Sequence, residues 1–156
     1  MARRLREEIQ QQKPFGSLEQ EVILNVLRTA DVLLQRITAA LKPFKLSHSQ
    51  YNVLRILRGA GPEGLACREI GERMITRDPD ITRLLDRLEA RGLLTRTRDQ
   101  KDRRVITARI TSEGQHLLEA LDQPMAEVDR KPLRHLGEQQ LRRLIQLLEL
   151  ARDRGE

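Results

Sequence analysis

Arginine is the residue type with most chemistry to offer in this chain, and its placement is uneven. Nearly all of the formal net charge of +6 sits between Arg73 and Arg109, where eleven basic residues face six acidic ones. Clustered Lys and Arg bind polyanions because every phosphate they neutralise releases a condensed counterion. Within this stretch Ile81, Leu84, Leu85 and Leu88 form one inward helical stripe, which leaves Thr82, Arg83, Asp86 and Arg87 outside. Arg77 stands just ahead of that helix and Asp80 in its first turn. Arg98, Asp102, Arg103 and Arg104 lie in or beside an all-polar run, Asp99 to Arg104, that leads into an alternating segment, Val105 to Ile110. A helix is narrow enough to enter the major groove of B-DNA and read base edges, and a hairpin tip can reach the neighbouring minor groove. The succession of a basic helix face and a charged hairpin points to double-stranded DNA. The candidate contacts are Arg77, Asp80, Thr82, Arg83, Arg87, Arg98, Asp102, Arg103 and Arg104. Asp80 is unfavourable beside phosphate, but its carboxylate could accept from a cytosine amino group and so add selectivity.

Other chemistries find no foothold. His48, His116 and His135 are far apart and lack ligand spacing, and no Gly-rich phosphate loop or nucleophile elbow is present. The expectation is a protein that is not an enzyme and holds no metal or cofactor. Cys67, the single cysteine, cannot form an internal disulfide, which suits a reducing compartment. It reads either as a small hydrophobe or as a redox-sensitive thiol, its pKa lowered by a helix N-terminus and by Arg68. No apolar run approaches a membrane span, and the N-terminus (Arg3, Arg4, Arg6, Glu7, Glu8) lacks the apolar stretch of a secretion signal. A cytoplasmic location is expected.

The elements that must position the arginines are mostly helical. Residues 1–16 are polar and end in Pro14 and Gly16, the pattern of an arm that orders only with a partner. Ser17 with Gln20, and Ser47 with Gln50, have capping-box spacing. The first opens a long helix with apolar residues from Leu18 to Leu41, ended by Pro43. Its stripe is widened by Val32 and Leu34, as though it packed on more than one neighbour. The second opens a helix through Tyr51, Val53, Leu54, Ile56 and Leu57 to the turn at Gly59–Pro62. A shorter helix is expected at about 66–74. The next has Asp78 as N-cap, Pro79 as its first residue and Gly92 as its stop. Beyond the hairpin, Thr111 caps a helix interrupted at Pro124, and a final helix runs through Leu141, Leu144, Ile145 and Leu148. The divisions are an arm at 1–16, a helix at 17–45, a central lobe at 46–111 and C-terminal helices at 112–156.

At the hairpin the residues become recognisable. Asp102-Arg103-Arg104, followed by Ile110-Thr111 and Gly114, resembles the wing signature of the MarR family of bacterial regulators. Ile81 through Leu93 resembles that family's recognition helix and its exit. The resemblance implies a mainly α protein with a small β-hairpin wing: a winged helix-turn-helix flanked by N- and C-terminal dimerisation helices. It implies a homodimeric transcriptional regulator, a repressor by preference, on double-stranded DNA with an inverted repeat. It assigns the matching Arg104 to the minor groove and has Asp102 orient the wing by pairing with basic neighbours. It also implies release by a small aromatic or amphipathic acid, bound where the dimerisation helices meet the lobe. His48, Tyr51 and Arg55 are the candidate ligand contacts, against the alternative that Tyr51 is core and His48 faces solvent. Two departures are the Asp78-Pro79-Asp80 start, where Ser or Thr is usual, and Ala66, which cannot cap the helix before Glu69. Two further readings stay open, a winged-helix module that docks on proteins and a redox sensor acting through Cys67.

Overall fold

The computed structural model describes residues 5–153. In chain order the elements are α1 (Leu5–Glu8), α2 (Leu18–Leu41), α3 (His48–Ala60), β1 (Leu65–Ala66), α4 (Cys67–Arg73), α5 (Ile81–Ala90), β2 (Leu94–Arg98), β3 (Ile106–Ile110), α6 (Ser112–Arg130) and α7 (Gly137–Arg152). Short 3-10 turns occupy Lys42–Phe44 and Arg134–Leu136. The chain divides into two units at Arg36/Ile37, within α2.

In the first unit the described part of the expected arm carries one helical turn, α1, with Leu5 buried; residues 1–4 lie outside the described residues. Ser17 caps α2 as its spacing predicts, its Oγ accepting from the Gln20 amide at 3.1 Å. The Gln20 side chain accepts from Gly16 N at 2.7 Å, one residue ahead of the cap, so the box closes in a wider form. Leu18, Val22, Ile23, Val26 and Leu27 remain exposed along α2, and Val32 and Leu34 with them.

The second unit holds the aliphatic core, centred on Leu41, Val53, Leu54, Leu57, Ile70, Leu85, Leu88, Leu94, Leu118 and Leu121. Each such side chain removed from water contributes about 1.5–3 kcal/mol, which is how a chain with 2% aromatics packs a lobe. Ser47 and Gln50 form the full capping box at the start of α3, with reciprocal bonds of 3.1 and 3.0 Å. The sheet runs β1-β3-β2, all antiparallel, pairing Leu94 with Ile110 through to Arg98 with Ile106. Strand β1 was not legible in the sequence: two residues, Leu65 and Ala66, pair with Ala108 and Thr107, too few to show an alternation.

Two helix boundaries differ from the sequence reading. Helix α6 is not interrupted at Pro124 but continues through it to Arg130. An interior proline costs about 3 kcal/mol; here Leu118, Leu121 and Met125, all buried, hold both sides of the helix on the core and offset that cost. Helix α7 forms as expected and buries none of its described side chains.

Candidate nucleic-acid interface

The second difference lies at the site itself. Asp80, not Asp78, caps α5: its Oδ1 accepts from Arg83 N at 3.1 Å, while Asp78 Oδ1 accepts from Asp80 N at 2.9 Å. The two carboxylates thus fold the Asp78-Pro79-Asp80 segment into a turn that leads into the helix, and Pro79 lies ahead of the first helical residue, Ile81. The far end closes with Gly92 at φ +69°, where Gly92 N donates to Glu89 O and Leu93 N to Leu88 O. This is the six-to-one, five-to-two pattern that only a residue tolerant of positive φ completes at low cost. Leu84, Leu85 and Leu88 face the core, and Thr82, Arg83, Asp86 and Arg87 are exposed, as the period predicts.

The wing is fastened to this helix through Arg96 and Thr111. Arg96, half-buried on β2, donates from Nε and Nη2 to Glu89 Oε2 at 3.1 and 2.7 Å and from Nη2 to Asp86 Oδ1, while its backbone N–H donates to Glu89 Oε1. The guanidinium holds the Glu89 carboxyl below its ordinary range. Thr111 Oγ donates to Gly92 O and accepts from Gly114 N, so one hydroxyl joins the end of α5 to the start of α6. Gly114 itself stands where a Cβ would meet Leu93 O at 2.3 Å, which gives the glycine of the wing signature a steric reason. Behind α5, Arg91 donates from both terminal nitrogens to the carbonyls of Lys45 and Phe44.

At the hairpin tip, Asp99 does most of the shaping. Its Oδ1 accepts from Lys101 N at 2.7 Å and Asp102 N at 2.9 Å, and these donors push its carboxyl pKa down. Asp102 orients the wing through backbone and not, as expected, through basic side chains. It accepts from Arg104 N at 3.0 Å and forms no ion pair among the described residues. A carboxylate between successive amides is a turn device, and the arginines beside it are left outward. Arg77, Arg98, Arg103 and Arg104 are all exposed.

The three candidate ligand contacts differ in burial. Tyr51 is buried core, its phenol pKa raised by that burial, and Arg55 lies on the solvent side with its guanidinium 5.8 Å from the ring centre. His48 is half-buried, and desolvation lowers its pKa. An open cleft of about 960 Å³ lies between the arm and the start of α2, lined among others by Arg6, Gln10, Phe15 and Leu18; none of the three residues borders it.

The direction of the Cys67 thiol shift is opposite to the one expected. It stands at the first position of α4, half-buried, and burial raises its thiol pKa in spite of some help from Arg96. Arg68, expected to lower it, turns away to Glu72 at 3.1 Å. Ala66 ahead of it supplies no side-chain acceptor, as expected, and only Glu69 returns to the Ala66 N–H.

Residues 46–106 match the MarR family. The crystal structure of a MarR transcription factor from Planctomyces limnophilus is 42% identical, covering 88% of this chain and 99% of that one, at a TM-score of 0.68. The chain belongs to the MarR family. Its fold is accordingly the family's winged helix, as expected from the wing signature. Among curated relatives, the HTH-type transcriptional regulator TtmR of Methylorubrum extorquens is 33% identical over 106 residues, which are 68% of this chain and 53% of TtmR. The chain therefore spans about half the length of that relative. CouR of Rhodococcus jostii, solved bound to p-coumaroyl-CoA, is 25% identical with a TM-score of 0.74, covering 91% of this chain and all of that one. TtmR is a transcriptional regulator and the Planctomyces limnophilus protein a transcription factor. Among the described residues no helix is long and apolar enough to cross a membrane.

Sequence reasoning missed Arg96, Arg91 and Asp99 at this MarR site. Arg96 had a readable signal: period-two alternation puts it on the same face of β2 as the buried Leu94, and an inward arginine requires acidic partners.

Proposed function

We propose that this MarR-family chain is a sequence-specific double-stranded DNA-binding transcriptional regulator, acting in the cytoplasm as a homodimer on an inverted repeat. The observation that carries the reading is that Thr82, Arg83 and Arg87 stand exposed on α5 while Arg98, Arg103 and Arg104 stand exposed on a wing bonded to that same helix. None of these arginines forms an ion pair among the described residues. Thr82, Arg83 and Arg87 read base edges, and Arg104 enters the minor groove, whose negative potential favours a guanidinium. Arg77, Arg98, Lys101 and Arg103 hold phosphates. Asp80 caps α5 and keeps one oxygen for a base amino group; Asp102 shapes the wing.

The exposed apolar faces of α2 and α7, where Val22, Ile23, Leu27, Ile145 and Leu150 are each more than half exposed, support a second copy as their cover. Dimeric reading heads explain the inverted repeat, since half-sites must lie about one helical turn apart. The regulator represses, and a small aromatic acid or its thioester releases it, a reading supported by the p-coumaroyl-CoA bound to CouR. His48 and Arg55, beside Tyr51 at the start of α3, are the candidate contacts. Titrating the folded protein against the DNA directly upstream of its own coding region, by mobility shift, tests the whole reading. A retarded complex that salicylate-like acids dissolve is the expected result. A folded protein that retards neither this DNA nor any genomic fragment refutes it.

A further inference from the structure

We infer that Arg96 is a positioning residue of the DNA-binding surface: without touching nucleic acid, it restrains and neutralises two carboxylates of α5, Asp86 and Glu89, that would otherwise repel phosphate. The inference rests on the DNA-binding reading above. Asp86 lies on the outward face of α5, between Arg83 and Arg87 in sequence, and its side chain is 55% exposed; Glu89 is 38% exposed. Two free carboxylates on the face that must approach a polyanion oppose the arginines beside them. Arg96 meets both. Its side chain, only 19% exposed, aims Nε and Nη2 at Glu89 and Nη2 at Asp86, and its own backbone N–H takes the second oxygen of Glu89. Three bonds from one residue to one carboxylate fix where that charge lies, and the guanidinium's Nε and Nη2 are both engaged within the lobe. A lysine could neutralise one carboxylate but could not fork between two. The outward reading set of α5 is thereby narrowed to Thr82, Arg83 and Arg87.

The consequence is opposite to that of an arginine bound to phosphate. Removing Arg96 leaves two unmatched negative charges near the backbone of the DNA, a like-charge juxtaposition that weakens binding on the order of tenfold. Neutralising the two carboxylates in the same protein must then restore it.

The test compares four full-length proteins by fluorescence anisotropy on the labelled duplex upstream of the coding region: the parent, Arg96→Met, the double variant Asp86→Asn with Glu89→Gln, and all three substitutions together. Circular dichroism melts accompany each. Expected are a loss of about tenfold for Arg96→Met and recovery to within about twofold of the parent in the triple variant. Where Arg96→Met is not folded at the titration temperature, Arg96→Lys replaces it, with a smaller loss that the same two neutral substitutions recover. Unchanged affinity on removing Arg96 overturns the inference. So does a loss that the triple variant retains, with a salt slope flattened by about 0.9 per site, the mark of a direct phosphate contact. A folded parent that binds no DNA overturns the functional reading and this inference with it, and is told apart by the parent titration alone.

Discussion

Affinity for DNA must fall steeply with salt if α5 and the wing are the binding surface, and the structure sets how steeply. Of the eleven basic residues between Arg73 and Arg109, Arg73 pairs with Glu69, Arg91 with the carbonyls of Phe44 and Lys45, Arg96 with Asp86 and Glu89, and Arg109 with Thr97. Seven remain outward: Arg77, Arg83, Arg87, Arg98, Lys101, Arg103 and Arg104. With Arg83 and Arg87 assigned to base edges and Arg104 to the minor groove, four are left for phosphates in each lobe, and about eight in a dimer. The expected slope of log affinity against log salt is then about −7, a loss of about ten-thousandfold between roughly 50 and 200 mM. Anisotropy titrations across a salt series measure it. Arg103→Ala, which removes one contact from each protomer, should flatten the slope by about 2. A slope shallower than about −2, or one that Arg103→Ala leaves unmoved, would refute the assignment of these side chains to phosphate.

Replacing Arg104 with Ala should cost on the order of 1–3 kcal/mol of DNA affinity with fold and oligomeric state intact; equal binding would remove the wing from the mechanism. Glutamate at Val26 or Leu144, which are 43% and 39% exposed, should yield a monomer with no operator binding, and a sedimentation experiment showing an intact dimer would count against the α2 and α7 interface. Gly114→Ala forces a Cβ to 2.3 Å from Leu93 O and 2.7 Å from Ile110. A loss of about 1–3 kcal/mol in denaturant unfolding is expected, and unaltered stability would show that the backbone yields there. Asp122 has its pKa lowered by the bidentate Arg58 guanidinium. A depressed carboxyl stabilises the fold above its unfolded pKa and loses that contribution as pH falls through the folded value. Both partners are partly exposed, so the pair is worth about 0.5 kcal/mol or less. Thermal melts from neutral to acid pH should therefore show a slightly smaller decline for Asp122→Asn than for the parent.

The helical frame was legible because its signals are local. Ser47 and Gln50 cap α3 across three residues, Gly92 stops α5 with its own φ, and the alternation in β3 is visible within six residues. What failed were competitions between near-equal local options. Asp78 and Asp80 are both good caps, and only the turn between them decides that Asp80 accepts from Arg83 N while Asp78 serves Asp80. Pro124 is a sound interruption signal that burial of Leu121 and Met125 overrides. Strand β1 exists only because β3 is there to pair with it.

At the site, the outward face of α5 and the charged tip are legible in the sequence, whereas the identity of the partners that engage the remaining charges is not. Arg91 and Arg96 look in sequence like Arg83 and Arg87, residues of one positively charged segment. In the structure they face carbonyls and carboxylates of the lobe itself. The partners lie seven and ten residues away for Arg96 and more than forty for Arg91, beyond any helical or strand period. Asp102 shows the converse, since its motif position was read as an ion pair and it proves to hold a backbone amide. A count of basic residues therefore measures the donors available to phosphate only after those engaged within the lobe are removed. For this chain that removal leaves a contiguous set running from Arg77 through α5 to the wing tip, with Arg96 the link that keeps the helix and the wing in one surface.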